Sequence, residues 1–284
     1  TLEIISTSNA VKQFDMSGVE TLKITTLAAN QLISAKNWSG VEQITLMDDI
    51  TGTGGSFVNM GDMALTVEVN GASAGTDTIA FDHTGATVVN TVASKATAKL
   101  GGTSSATADS NDVAMTAAST TGALTMNVGQ WTDAAGTYNF NKASSATLNV
   151  ASGQDDDENE LTVFSGTLNV NKATAVTIAA DGTVSGEVAS TDAASFNASF
   201  NGAHAGATLD FDKATSGEIT TAKTGTLVLQ AEKAEVLSIT AADDLTVDDT
   251  VAAAALQELT VSTGGVFVMS TGGMDAIATL GVEG

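Results

Sequence analysis

The groups in this sequence best able to do chemistry are carboxylates, and they come in runs. Asp48 and Asp49 are adjacent, and Asp155, Asp156, Asp157, Glu158 and Glu160 follow one another closely. Asp210 and Asp212 alternate with apolar residues in "LDFD", and Asp243, Asp244, Asp248 and Asp249 bracket the short apolar run of "DDLTVDD". Hard carboxylate oxygens in such clusters suit Ca2+, which takes about six to eight ligands in irregular geometry and accepts turn carbonyls among them. Alternation points Leu209 and Phe211 to one side of their segment and Asp210 and Asp212 to the other.

Two stretches come near a known calcium pattern. "DDDENE" opens like an EF-hand loop, with Asp155, Asp157 and Asn159 at alternate places. It then departs, because Glu160 stands where glycine is needed and Gly166 where the bidentate glutamate belongs. "SAGTDTIAF" (73–81) resembles the G-x-D-x-apolar core of the calcium-binding nonapeptide and adds Asp77 to the candidates, as a single copy. Against each cluster stands the plainer reading of a solvated acidic turn.

Catalytic constellations are poorly supplied. The histidines are His83 in "FDHTG" and His204 in "NGAHAG", both reading as exposed turn residues rather than as partners of a nucleophilic serine. A carboxylate pair for glycoside hydrolysis is conceivable. Yet arginine is absent, and only Trp38, Trp131 and Tyr138 could stack on a sugar. "GTGG" (52–55) and "TGGM" (271–274) lack the Lys-Thr pair of a phosphate-binding loop. The sequence predicts a protein that is not an enzyme.

The elements that must position the carboxylates are short alternating segments: "TLKIT" (21–25), "QITLM" (43–47), "LTVEV" (65–69), "ALTMNV" (123–128), "GTLNV" (166–170), "ATLDF" (207–211), "GTLVL" (225–229) and others like them. Period two with β-branched residues predicts strands with one buried face, and the Gly-, Asn-, Asp- and Ser-rich stretches between them predict turns. "SGVETLKIT" (17–25) and "SGVEQITLM" (39–47) nearly repeat one another. Leading apolar positions recur at Leu22, Ile44, Leu65, Leu124, Leu148, Leu168, Val188, Leu209, Leu227 and Leu245, mostly about 20 residues apart. The 59-residue gap after Leu65 has room for three such steps. This predicts an all-β chain of stacked coils, a parallel β-solenoid of about 20 residues per coil, in which each coil buries its apolar face against the next. One or two β-sandwiches are the alternative architecture. Residues 93–122 are poor in large hydrophobic side chains and read as an irregular loop or weak coil between solenoid segments 1–92 and 123–284. Ala-rich 250–259 is the one place where a helical turn is conceivable.

Composition narrows the class. The formal charge is −23, from 33 acidic residues and 10 lysines, which excludes the basic surfaces that bind nucleic acid or anionic membranes. No cysteine is present, so neither a disulfide framework nor a thiolate metal site can form. No apolar run approaches the roughly 18 residues of a membrane-spanning helix. The chain opens at Thr1 within a strand-like pattern, which reads as a processed or excised piece of something longer.

The recurrent "FDMSGVETLKITT" style resembles the β-solenoid region of bacterial surface-layer (S-layer) proteins, of the calcium-dependent, RTX-related group exported by type I secretion. It extends over most of the chain, although the tandem nonapeptide array of that group is missing. The resemblance implies an extracellular, cell-surface protein that binds Ca2+ and assembles with copies of itself into a two-dimensional lattice. It also implies attachment to surface polysaccharide or lipopolysaccharide through another region. A stalk or ligand-binding region of a large secreted adhesin is the alternative function.

Overall fold

The structure, a computed structural model, describes residues 1–5, 12–26, 31–46, 53–61, 65–70, 78–82, 85, 87–92, 109–111, 114–116, 121–130, 132–153, 162–249, 255–271 and 279–283. Among them every regular element is a β-strand. The Ala-rich stretch contributes no helix there; residues 250–254 lie outside the described set, and Glu258–Thr263 is a strand.

All strand pairs are parallel and connect successive coils, so the chain is a β-solenoid. One sheet holds 13 strands in chain order, and a second holds 12. At about 4.8 Å per strand the longer sheet is about 60 Å from end to end. A third sheet of four strands, Asp109–Asn111, Thr132–Ala134, Val163–Phe164 and Thr183–Val184, gives the middle coils three sides. From Ser195 onward each coil has two strands.

Register explains why the sequence alternates as it does. One inward column of the first sheet reads Leu22, Ile44, Val67, Val89, Met126, Leu148, Ile178, Ala198, Ile219, Ile239 and Val261. Every member is buried and belongs to one continuous hydrophobic cluster. Parallel in-register stacking puts like beside like, so polar residues also form ladders. Asn149 Nδ2 donates to Asn127 Oδ1 at 2.7 Å, and Asn169 Nδ2 to Asn139 Oδ1 at 2.8 Å. Size is balanced between coils as well: the Phe196 ring occupies the space that a Cβ on its register partner Gly217 would need.

The near-repeat at 17 and 39 is a stacked corner. Ser17 and Ser39 are register partners, and Gly18 and Gly40 follow them at φ +70° and +81°, where a side chain would be strained. At another corner, Gly166 and Gly186 sit where an added Cβ would meet the preceding coil's carbonyl oxygen at 2.2 Å.

Coil length varies more than the apolar markers predict. The 59-residue gap holds two coil steps rather than three, because Leu65 pairs with Thr87 and Thr87 with Leu124. Two strands from 93–122, Asp109–Asn111 and Ala114–Thr116, join the sheets, while 93–108 lies outside the described residues. The step from Leu148 to Ile178 is 30 residues and contains the acidic run.

Candidate functional site

The structure distributes the candidate carboxylates over different parts of the solenoid. Asp48, Asp49, Asp77, Asp155, Asp156, Asp157 and Glu158 lie outside the described residues. Asp210, Asp212, Asp243, Asp244, Asp248 and Asp249 lie within them, in the carboxy-terminal coils.

Leu209 and Phe211 are buried, as alternation requires, and Asp210 and Asp212 are on the outer side of the second sheet, each half-buried. The Asp210 carboxyl is pushed up to about 6, first by burial and then by the charge of Asp212, a hydrogen bond with Asp212, and the charges of Glu187 and Glu232. The four carboxylates are close enough to repel. Among the described residues, however, no three acidic or imidazole side chains converge as metal ligands would.

The second group is engaged differently. Asp243 Oδ1 accepts from the Asp244 N–H at 3.0 Å. Asp244 Oδ1 accepts from Val266 N–H on the following coil at 2.6 Å. Asp244 therefore ties two coils together at a corner. Asp248 and Asp249 are in register with Val228 and Leu229 of the preceding coil and with Ser270 and Thr271 of the next.

Ionising Asp210 costs stability. In the unfolded chain its pKa returns to the ordinary carboxylate range, so the native state holds the proton more tightly between about pH 4 and 6. That advantage disappears as pH rises through about 6. Asp210→Asn is therefore expected to stabilise the protein at pH 7.5 by about 1 kcal/mol, a figure reduced for solvent screening at a half-exposed site, and by nothing below about pH 4. Chemical unfolding midpoints at the two pH values check this; an equal difference at both would show that the charge is not the cause.

His204 differs from the exposed turn residue that its sequence context suggests. It is 1 % exposed, its ring lies 5.5 Å from that of Phe200, and its Nδ1 is 3.3 Å from Gly202 O. Nε2 is buried without a hydrogen-bond partner and packs where Gly225 has no side chain. Burial lowers its pKa, partly offset by the Gly202 carbonyl. The unfolded chain thus binds a proton that the native state resists, so this contribution is present above about pH 6.5 and lost as pH falls below it. His204→Leu is expected to flatten the acid-side fall in stability between about pH 6.5 and 5. An unchanged slope in unfolding measured across that range would refute it. His83 lies outside the described residues.

Attention to the acidic runs alone misses a lysine corner. A tight turn recurs as Phe140–Ala143, Val170–Ala173, Phe211–Ala214 and Ala231–Ala234, closed each time by a backbone N–H to carbonyl bond of 2.8–3.0 Å. Its exposed third position is Lys142, Lys172, Lys213 or Lys233, and the final alanine is buried. On the coil between the second and third of these, Asp192 takes the lysine's place and bridges Lys172 and Lys213, both at 2.5 Å. Hydrogen bonds from Lys172 and then Lys213 hold the Asp192 carboxyl down at about 2. The recurring "NKA", "NKA", "DKA" and "EKA" are the signal for this corner in the sequence.

No family model, curated protein or solved structure matches the chain.

Proposed function

We propose that this chain is a structural segment of an extracellular bacterial surface layer, which assembles with copies of itself into a two-dimensional, calcium-stabilised lattice. The observation that carries this reading is the stack of carboxylates around Asp210 on the flank of a long β-solenoid. Burial and neighbouring acids hold one of them at about 6. Glu187, Asp210, Asp212 and Glu232 come from three successive coils, so their charges repel across the coil spacing. Divalent cations relieve that repulsion and can bridge neighbouring subunits, whereas monovalent ions only screen it.

Ca2+ is the cation such oxygen-rich, irregular surroundings favour. The carboxylates proposed to take it are Asp155, Asp156, Asp157 and Glu158, together with Asp243, Asp244, Asp248 and Asp249. The chain serves as scaffold rather than catalyst, and its partners are copies of itself, with surface polysaccharide or lipopolysaccharide engaged elsewhere. Negative-stain microscopy of the protein with Ca2+ and with excess chelator tests the reading. Ordered arrays in the first condition and dispersed particles in the second are expected. Dispersed particles in both would overturn it.

A further inference from the structure

We infer that the lysine corner is a self-complementary edge through which two copies of this chain pair antiparallel about a two-fold axis near Asp192. The inference deepens the self-assembly reading by assigning one contact, and it requires no calcium. Four of the ten lysines, Lys142, Lys172, Lys213 and Lys233, lie on this edge of a chain whose formal charge is −23. Repulsion between copies is therefore least there.

The edge is polar along its length. At one end Lys142 and Lys172 follow Asn141 and Asn171, so the charge is positive. At the other, Lys213 and Lys233 follow Asp212 and Glu232, and Asp210 lies beside them, so the charge is negative. The two ends are four coil steps apart, about 19 Å. Parallel superposition of two such edges would set like against like. Reversing one copy sets Lys142 against the other's Glu232 and Lys172 against its Asp212, and the two-fold repeats both contacts.

Asp192, which meets its own copy near the axis, is already neutralised by Lys172 and Lys213 within each chain. Lys142 and Lys233 are exposed and form no ion pair among the described residues, and an ammonium carries three donors to share. The acidic partners are likewise accessible, with Glu232 exposed and Asp212 half-exposed.

Sedimentation velocity on the whole 284-residue chain, in chelator at low salt, provides the test. A monomer–dimer equilibrium that weakens with added salt is expected. Lys142→Glu and Glu232→Lys should each weaken it at least about tenfold. An equimolar mixture of the two variants should restore pairing, as should both changes in one chain. Glu232→Lys moves the formal charge from −23 to −21, so if net charge alone governed association this variant would pair more tightly. Tighter pairing of that variant, failure of the mixture to recover, or a wild type that stays monomeric would each overturn the proposal. With chelator present, none of these results bears on the calcium-dependent arrays.

Discussion

Leu209→Asp is expected to unfold its part of the solenoid. Leu209 is fully buried, with Val188 and Leu229 as register partners on the coils before and after it. A carboxylate there would meet apolar side chains on either side. Such a group protonates or drags water inward, and either response costs more than about 4 kcal/mol, at the severe end of single substitutions. Each coil is stabilised chiefly by its neighbours, so the loss falls on Glu187–Ala189 and Gly225–Gln230 as well. Thr208→Asn is the matched control, because Thr208 is the preceding residue and points outward, and asparagine adds polarity there without a charge beside its register partner Glu187. Hydrogen exchange should show lost protection over these coils in the first variant alone. Equal protection in both would mean that Leu209 does not face the core.

Removing calcium is expected to have the second large effect. At −23, copies repel strongly at contact, and a screening length of about 8 Å at physiological salt does not abolish this. A cation that binds only the folded state at a hundredfold excess over its Kd adds about 2.7 kcal/mol per site. Chelation should therefore lower the unfolding temperature and disperse arrays together. Mg2+ should restore little of either, because it resists dehydration and demands octahedral geometry.

Replacing Asp243, Asp244, Asp248 and Asp249 with asparagine should weaken assembly more than it changes strand content. The Asp244→Asn side chain keeps an oxygen for Val266 N–H, so the tie between those coils survives. Calorimetric titration is the check. The absence of calcium-binding heat in chelator-stripped protein, with arrays persisting in excess chelator, would end the proposal.

The period of the coil is legible in the sequence because burial is decided residue by residue: Leu22, Ile44 and Val67 must all be apolar, at a step of 22 or 23. Which sheet a marker belongs to is not legible. Leu148 lies in the first sheet and Leu168 in the second, yet their 20-residue separation mimics one coil step. Both sheets use the same Thr-Leu-Asn pattern, at 147–149 and 167–169, so local sequence cannot distinguish them. The true step from Leu148 leads to Ile178 and is lengthened by the acidic run.

Alternation places Asp210 and Asp212 on the outer side. Their coupling to Glu187 and Glu232 is hidden from the sequence, because it depends on the residue count of intervening corners. The burial of His204 is hidden for a related reason. Small flanking residues suggest a turn open to water, but burial comes from the coil that follows, where Gly225 leaves space for the ring.

The order of strands in the 13-stranded sheet, which follows the chain from first to last, has a mechanical consequence. Hydrogen bonds between coils run along the solenoid axis, so tension applied along that axis loads one interface after another rather than shearing many at once. The chain would then yield by peeling, releasing one coil of about 20 residues, or about 70 Å of extended backbone, per event. Each small rupture dissipates work while the remaining coils stay folded, and the detached coil has a template edge waiting when the load falls. The proposed lattice, built from such units, would stretch by increments under load and recover its length afterwards.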